Sequence, residues 1–132
     1  MTEQYPRASK AERDSCVTTI AAVPQVTLGS GMDTNLVCGK GLTLSFVTMA
    51  PHAVGKMHSH PHEQMVVVSE GALDFVLDGK SHALKPGDVM HVAGDLEHSA
   101  MALDKECRIL EIFTPARKDF EEKLAQAKAA KK

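Results

Sequence analysis

Glycine divides the middle of this chain into runs too short for ordinary helices. From Cys16 to Phe113 the sequence reads as short β-rich stretches, punctuated by Gly71, Gly79, Gly87 and Gly94 with neighbouring Pro and Asp. That rhythm predicts an antiparallel sandwich or barrel. Leu42, Leu44 and Phe46 alternate with Thr43 and Ser45, the period of a half-buried strand whose apolar set faces the core. Met65 to Val68 is a continuous β-favouring run, and Ala72–Leu77 and Lys80–Leu84 flank Asp78-Gly79, the dipeptide of a two-residue hairpin. After Phe113 the texture changes. Thr114 is placed to cap, Pro115 suits a first helical position, and Asp119 to Lys132 is rich in Ala, Glu, Lys and Leu. Phe120 and Leu124, four apart, would pack one turn of that helix on the sheet. The expected organisation is a polar segment over 1–15, an all-β barrel over 16–115 and a C-terminal helix and tail over 116–132.

A chain of 132 residues supports a single core without disulfides. The formal charge of -2 lacks the basic excess that phosphate binding needs, so nucleic acid is not an expected partner. Met1 to Asp14 has no apolar run of the kind a signal peptide carries and no stretch is long enough to span a bilayer, so a cytoplasmic protein without a membrane partner is expected. Cys16, Cys38 and Cys107 form no Cys-x-x-Cys pair and read as plain thiols.

Seven histidines in so short a chain are the chemical signal. His58 and His60 stand two apart, so extended backbone turns both imidazoles to one face. Gln64 shares their parity and brings an amide oxygen, while His98, after a Gly-Asp turn, starts a later strand and is the best-placed fourth ligand. Imidazole suits Zn, Cu, Fe and Ni, and an uncharged ligand set leaves the ion's full charge uncompensated. The competing reading is a set of polar histidines lining a barrel, with Gln64 a hydrogen bonder outside the metal shell. His62 also has the right parity and is the runner-up ligand; if the strand is unbroken, His60, His62 and Gln64 form the inward set. His91 is expected as a hydrogen-bonded strand histidine, His52 and His82 as surface residues, and Glu63 and Glu97 as solvent-facing carboxylates.

These residues resemble the paired motifs of the cupin superfamily. Gly71 follows His58, His60 and Gln64 at the spacing of the first motif, and Gly87 to His98 resembles the second. Gln64 stands where Glu is usual, the first motif's leading glycine falls at His52, and Ala93, Asp95 and Ala102 replace Pro, Gly and Asn. The resemblance implies a jelly-roll barrel (double-stranded β-helix) with a divalent transition metal, Zn, Ni, Mn or Fe, in its mouth, held by His58, His60, Gln64 and His98. It also implies a homodimer, since small cupins commonly pair. Glu111-Ile-Phe113-Thr-Pro-Ala-Arg117-Lys-Asp-Phe120 resembles the ending of the pectin-degradation cupins, in which an Asp precedes the Phe by two residues. From that likeness Glu111 and Arg117 are candidate catalytic residues, moving protons and holding a substrate carboxylate. The implied chemistry is an isomerase- or lyase-like rearrangement of a small oxygen-rich substrate such as an unsaturated uronate. A metal-dependent dioxygenase and a non-catalytic binding module are the alternatives, and a salt bridge between Glu111 and Arg117 is the structural alternative for those two residues.

Overall fold

The computed structural model describes residues 4–131. Among these residues a short helix, α1 (Lys10–Asp14), and a 3-10 turn (Ile20–Ala22) precede nine strands. These are β1 (Val26–Gly29), β2 (Met32–Cys38), β3 (Thr43–Met49), β4 (Glu63–Glu70), β5 (Leu73–Leu77), β6 (Lys80–Leu84), β7 (Val89–Val92), β8 (His98–Ala102) and β9 (Cys107–Thr114), followed by α2 (Lys118–Ala130). The strands form a six-stranded sheet in the order β1-β2-β3-β9-β4-β7 and a three-stranded sheet in the order β6-β5-β8, with every pairing antiparallel. Among the described residues no strand lies before Val26, later than the barrel start expected at residue 16. The polar start does hold α1, through a capping box in which Ser9 Oγ accepts from Glu12 N and Glu12 Oε1 accepts from Ser9 N. Ser-x-x-Glu is legible in the sequence as such a box.

The Asp78-Gly79 hairpin forms as expected: Leu77 pairs with Lys80, and φ is 49° at Asp78 and 82° at Gly79, both positive as a type I′ turn requires. Gly71 also has positive φ, 71°, and an added Cβ would lie 2.3 Å from the Glu106 carbonyl, so only glycine fits where β4 turns into β5.

The strand period holds in β3 but its faces are reversed from expectation. Thr43 and Ser45 point inward and are fully buried, together with Val47 and Met49, whereas Leu44 and Phe46 are half-buried on the outer face and Leu42 is exposed. The reason is tertiary: inward positions at this level adjoin a polar layer, and Ser45 Oγ shares a 2.6 Å hydrogen bond with the buried Thr34 Oγ1. The C-terminal helix starts at Lys118, with Arg117 at its N-cap position. Thr114 instead ends β9, and Pro115 follows a cis peptide bond outside the helix, so neither takes the expected role. Phe120 and Leu124 do pack inward, joining Val26, Leu36 and Phe113 in a cluster at one opening between the sheets. The larger core cluster, centred on Val66, Leu73, Phe75 and Ile109, fills the other end. Along β9 the inward side chains run Cys107, Ile109, Glu111, Phe113, so an acid sits between the two apolar clusters. Among the described residues no helix is long and apolar enough to cross a membrane.

Candidate metal centre

His58 and His98 meet because their backbones are direct antiparallel partners. His58 N donates to His98 O at 3.0 Å and His98 N donates to His58 O at 2.9 Å. Partners in such a pair project to one side, and the rings lie 4.4 Å apart between centroids. His60 follows at the same parity, its ring 4.9 Å from that of His98. The chain then bends at Pro61–His62 before β4 begins at Glu63. The bend is held by Asp95 N donating to His60 O at 2.8 Å, and by Gly94, whose Cβ if present would lie 2.5 Å from Pro61 O. Here simple alternation fails. Gln64 still turns inward, fully buried, while His62 is half-buried and lies outside the metal-competent group of His58, His60 and His98.

One ring nitrogen from each of those three histidines lies within 4.8 Å of the others. Small side-chain rotations bring such atoms to a shared ion at imidazole bond lengths of about 2.0–2.1 Å. The tautomers follow from the hydrogen bonds. His58 Nδ1 contacts Lys56 O at 2.7 Å, His60 Nδ1 contacts His62 O at 3.1 Å and His98 Nδ1 contacts Leu96 O at 2.8 Å. A carbonyl oxygen can only accept, so each Nδ1 carries the proton and each neutral ring presents its Nε2 lone pair to the site. His98 Nε2 is buried without any partner. His60 Nε2 faces Gln64 Oε1 at 3.0 Å, and Gln64 Nε2 donates to Glu111 Oε2 at 2.6 Å, which aims the amide oxygen at the imidazole. In the neutral ring this sets two acceptors against each other. A proton on Nε2 would relieve the contact, yet burial, aided by the nearby Arg117 and His98, pushes the His60 pKa down to about 4 against the opposing Gln64 hydrogen bond. Burial likewise lowers the pKa of His98. At neutral pH a cation between the donors satisfies both the acceptor pair and the orphaned His98 nitrogen, so the residues fit a bound metal.

His58 and His98 open on a cavity of about 470 Å³. Phe75, Ile109, Phe113 and Phe120 supply apolar wall, and Gln64, Glu111 and Arg117 supply polar groups. Glu111 is half-buried, and burial raises its carboxyl pKa to about 7, although the Arg117 charge and the Gln64 hydrogen bond pull it downward. Arg117 lies at the junction of barrel and helix. Its backbone N donates to Thr43 Oγ1 at 2.9 Å, and its guanidinium is 3.8 Å from the Phe120 ring centroid and 4.8 Å from that of Phe113. Its salt-bridge partner is Asp119, bonded through Nη2 at 2.7 Å and Nε at 3.2 Å; Glu111 is bonded instead to Gln64. The direct Glu111–Arg117 salt bridge is therefore absent. Asp119, as the anchor of Arg117, and Lys56 and Lys123, as exposed cations lining the cavity, went unremarked in the sequence. Arg-x-Asp spacing was a usable sign for the first, whereas nothing local points to the lysines.

The outlying histidines behave as expected. His91 Nε2 contacts Glu63 Oε2 at 2.6 Å on the outer sheet face, and His52 and His82 are exposed. Two replacements in the motifs have a backbone explanation. His52 and Asp95, each at a position where the pattern has glycine, adopt φ of 63° and 68°. They keep the glycine-like turn without the glycine, at a cost Asp bears more easily than His.

Comparison with known proteins agrees with this architecture. A cupin from Shewanella frigidimarina NCIMB 400, described as RmlC-like, superposes with a TM-score of 0.74 at 24% identity, covering 80% of this chain and 95% of that one. KdgF from Halomonas sp. superposes with a TM-score of 0.69 at 28% identity, over 73% of this chain and 89% of that one. The pectin degradation protein KdgF of Dickeya dadantii (strain 3937) is 28% identical over 99 residues, 74% of this chain and 90% of the relative. Residues 45–113, over half the chain, match the Cupin domain family, and they include all three imidazoles that converge in the barrel. With two facing antiparallel sheets, a histidine cluster between them and that match, the chain belongs to the cupin domain family.

Proposed function

We propose that this protein is a metal-dependent enzyme that rearranges a small oxygen-rich acid, such as an unsaturated uronate or a similar hydroxy-keto acid, in an isomerase- or lyase-like reaction. The observation that carries this reading is the contact series His60, Gln64, Glu111, which sets a carboxyl group of pKa about 7 beside the imidazole cluster inside the cavity. His58, His60 and His98, with Gln64 Oε1 as fourth ligand, would hold a divalent transition ion such as Zn, Ni, Mn or Fe. Bound there, the ion supplies Lewis acidity toward substrate carbonyl and hydroxyl oxygens.

The remaining work falls to the chain itself. Glu111 has a pKa suited to taking a proton from one substrate atom and returning it to another at neutral pH, which leaves the substrate isomerised and the carboxyl unchanged. Gln64 holds that carboxyl in place through its amide N–H. Arg117 keeps its Nε–H and one Nη2–H on Asp119, so the Nη1 hydrogens and the second Nη2–H are the donors left for a substrate carboxylate. The apolar walls exclude water from the reacting end. The similarity to two KdgF proteins, one of them named for pectin degradation, favours a uronate among oxygen-rich acids.

The test follows the absorbance of unsaturated galacturonate with protein loaded with Zn, Ni, Mn or Fe. Wild type should exceed the spontaneous rate, and His60→Ala should lose both metal and acceleration. Glu111→Gln should keep the metal and lose about 100-fold in rate. Arg117→Ala should raise KM more than it lowers kcat. If every metal form of the wild type leaves the spontaneous rate untouched, the uronate reading fails. Binding of the sugar acid without turnover would make the protein a binding module.

A further inference from the structure

Positive charge gathers at the mouth of the cavity. Lys56, Arg117 and Lys123 all line it, against a single carboxyl, Glu111, which is bonded to Gln64. The whole chain has 15 Lys and Arg against 17 Asp and Glu, so this excess is local. Lys56 is exposed and lies in the segment fastened to β8, where Gly55 N donates to Ala100 O and His58 N to His98 O. Lys123 is exposed on α2, one turn after Phe120. Its Nζ lies 5.9 Å from the centroid of the ring that also carries the Arg117 guanidinium at 3.8 Å. Asp119, one turn before Lys123, is taken by Arg117. Among the described residues neither Lys56 nor Lys123 has a salt-bridge partner. Like charges without counter-ions at one opening draw anions to it.

We infer that Lys56 and Lys123 recognise a second anionic group on the substrate, so that the acid taken up by this cavity is a dianion carrying a further carboxylate or a phosphate. This rests on the proposed reading of the cavity as a substrate site. The space allows it. A volume of about 470 Å³ falls within the roughly 300–1,000 Å³ of sites that enclose ligands of drug size, so a small acid seated at the histidines leaves room toward the lysines. The wall beside Lys56 is apolar: Val54 precedes it by two residues, and Met32 Cε lies 3.5 Å from where a Gly55 Cβ would stand. Neither side chain brings a charge or a hydrogen bond to compete for the anion. Donor geometry divides the work. The free N–H groups of Arg117 form a planar fork suited to one carboxylate, whereas ammonium groups on flexible stems act as point charges that accept carboxylate or phosphate alike. Because both lysines are exposed, their pull on the anion should weaken with salt.

Isothermal titration calorimetry of the full chain, with and without added Zn, tests this with gluconate, glucarate and 6-phosphogluconate. The three share one hydroxy-acid chain and differ only at its far end, which is a hydroxyl, a carboxylate or a phosphate. At least one dianion should bind roughly 5-fold or more tightly than gluconate at low salt, and the advantage should shrink at about 0.5 M NaCl. A gain for glucarate alone assigns a diacid, and a gain for 6-phosphogluconate alone a phosphorylated acid. Lys56→Met/Lys123→Met keeps the apolar stems and should bring the dianions down to the level of gluconate, with circular dichroism unchanged. Lys105→Met, at an exposed lysine outside the cavity, should leave the advantage intact. Equal affinity for all three acids overturns the inference. So does the absence of binding by both dianions, or an advantage that survives in the double variant. The titration reads binding alone, so dianions selected by a protein that leaves unsaturated galacturonate untouched would strike the catalytic reading and leave the lysine assignment standing.

Discussion

Two titratable groups at the site, the buried His60 and the half-buried Glu111, depart from their ordinary behaviour in opposite senses, and each sets a pH trend. Glu111 titrates near 7 in the fold against 4.5 ordinarily, so its contribution to stability is present below about 4.5 and is lost as pH rises through 7. His60 titrates near 4 against 6.5, so its contribution is present above 6.5 and is lost as pH falls toward 4. In metal-free protein, Glu111→Gln should therefore be more stable than wild type by about 1–3 kcal/mol at pH 8 and nearly equal to it at pH 4. Urea unfolding in EDTA at the two pH values measures this, and an equal gain at both would remove ionisation as the cause. Gln64 lends itself to the converse experiment. Gln64→Glu removes the N–H donated to Glu111 and sets two carboxyls in contact, so without metal it should cost about 1–3 kcal/mol at pH 8 and less at pH 5. Added Mn or Fe should recover that loss, since the new negative charge partly neutralises the ion. A thermal melt insensitive to both pH and metal would place residue 64 outside the metal shell. The sequence showed these residues as an alternating polar set, but not that His60 and Gln64 would face each other as acceptors. That follows from the backbone carbonyls that take each Nδ1–H.

At the scale of elements, turns were the most legible part, because a turn's backbone demand is met within four residues. The Asp78-Gly79 hairpin needs only its own dipeptide. Gly71 shows the limit: its sequence context says turn, while its closeness to the Glu106 carbonyl comes from the strand segment opposite. The two glycines should therefore differ on substitution. Gly71→Ala should cost about 2–4 kcal/mol from positive φ and collision together, and Gly79→Ala, with open space around it, about 1 kcal/mol. Equal losses in chemical denaturation would mean that the contact at Gly71 relaxes freely. The faces of β3 were not legible, because period 2 fixes which residues alternate but not which set turns inward. Leu44 and Phe46 lost the interior to Thr43 and Ser45 because the inner layer at that level is polar and the outer face is broadly apolar. The end of β9 was misread for a related reason: a Thr-Pro pair fits a helix start as well as a strand exit, and pairing with Glu63 keeps Thr114 in the sheet.

For the whole molecule, an ion bound by His58, His60 and His98 would join β8 to the segment that leads into β4, and so tie the two sheets together. Anything that binds only the folded form stabilises it by mass action, about 4 kcal/mol at a thousandfold excess over Kd. Chelation should thus lower Tm by roughly 10 °C or more for a chain of this size, and His58→Ala/His60→Ala/His98→Ala should melt at one temperature with or without metal. A wild-type Tm unmoved by EDTA and by added Zn, Ni, Mn and Fe would count against a resident ion. The sequence by itself determined the strand-rich architecture, the terminal helix with its two anchors, and the identity of the converging histidines, because periodicity, turn chemistry and motif spacing are local. Tertiary structure decided what depends on distant partners. The Pro61–His62 bend, pinned by Gly94 and Asp95, left His62 outside the converging histidines while Gln64 stayed inward; Asp119 took the guanidinium of Arg117; and the polar layer between two apolar clusters sent Leu44 and Phe46 outward. Each outcome is a competition between residues far apart in the chain, settled by which pair could be buried with its hydrogen bonds made.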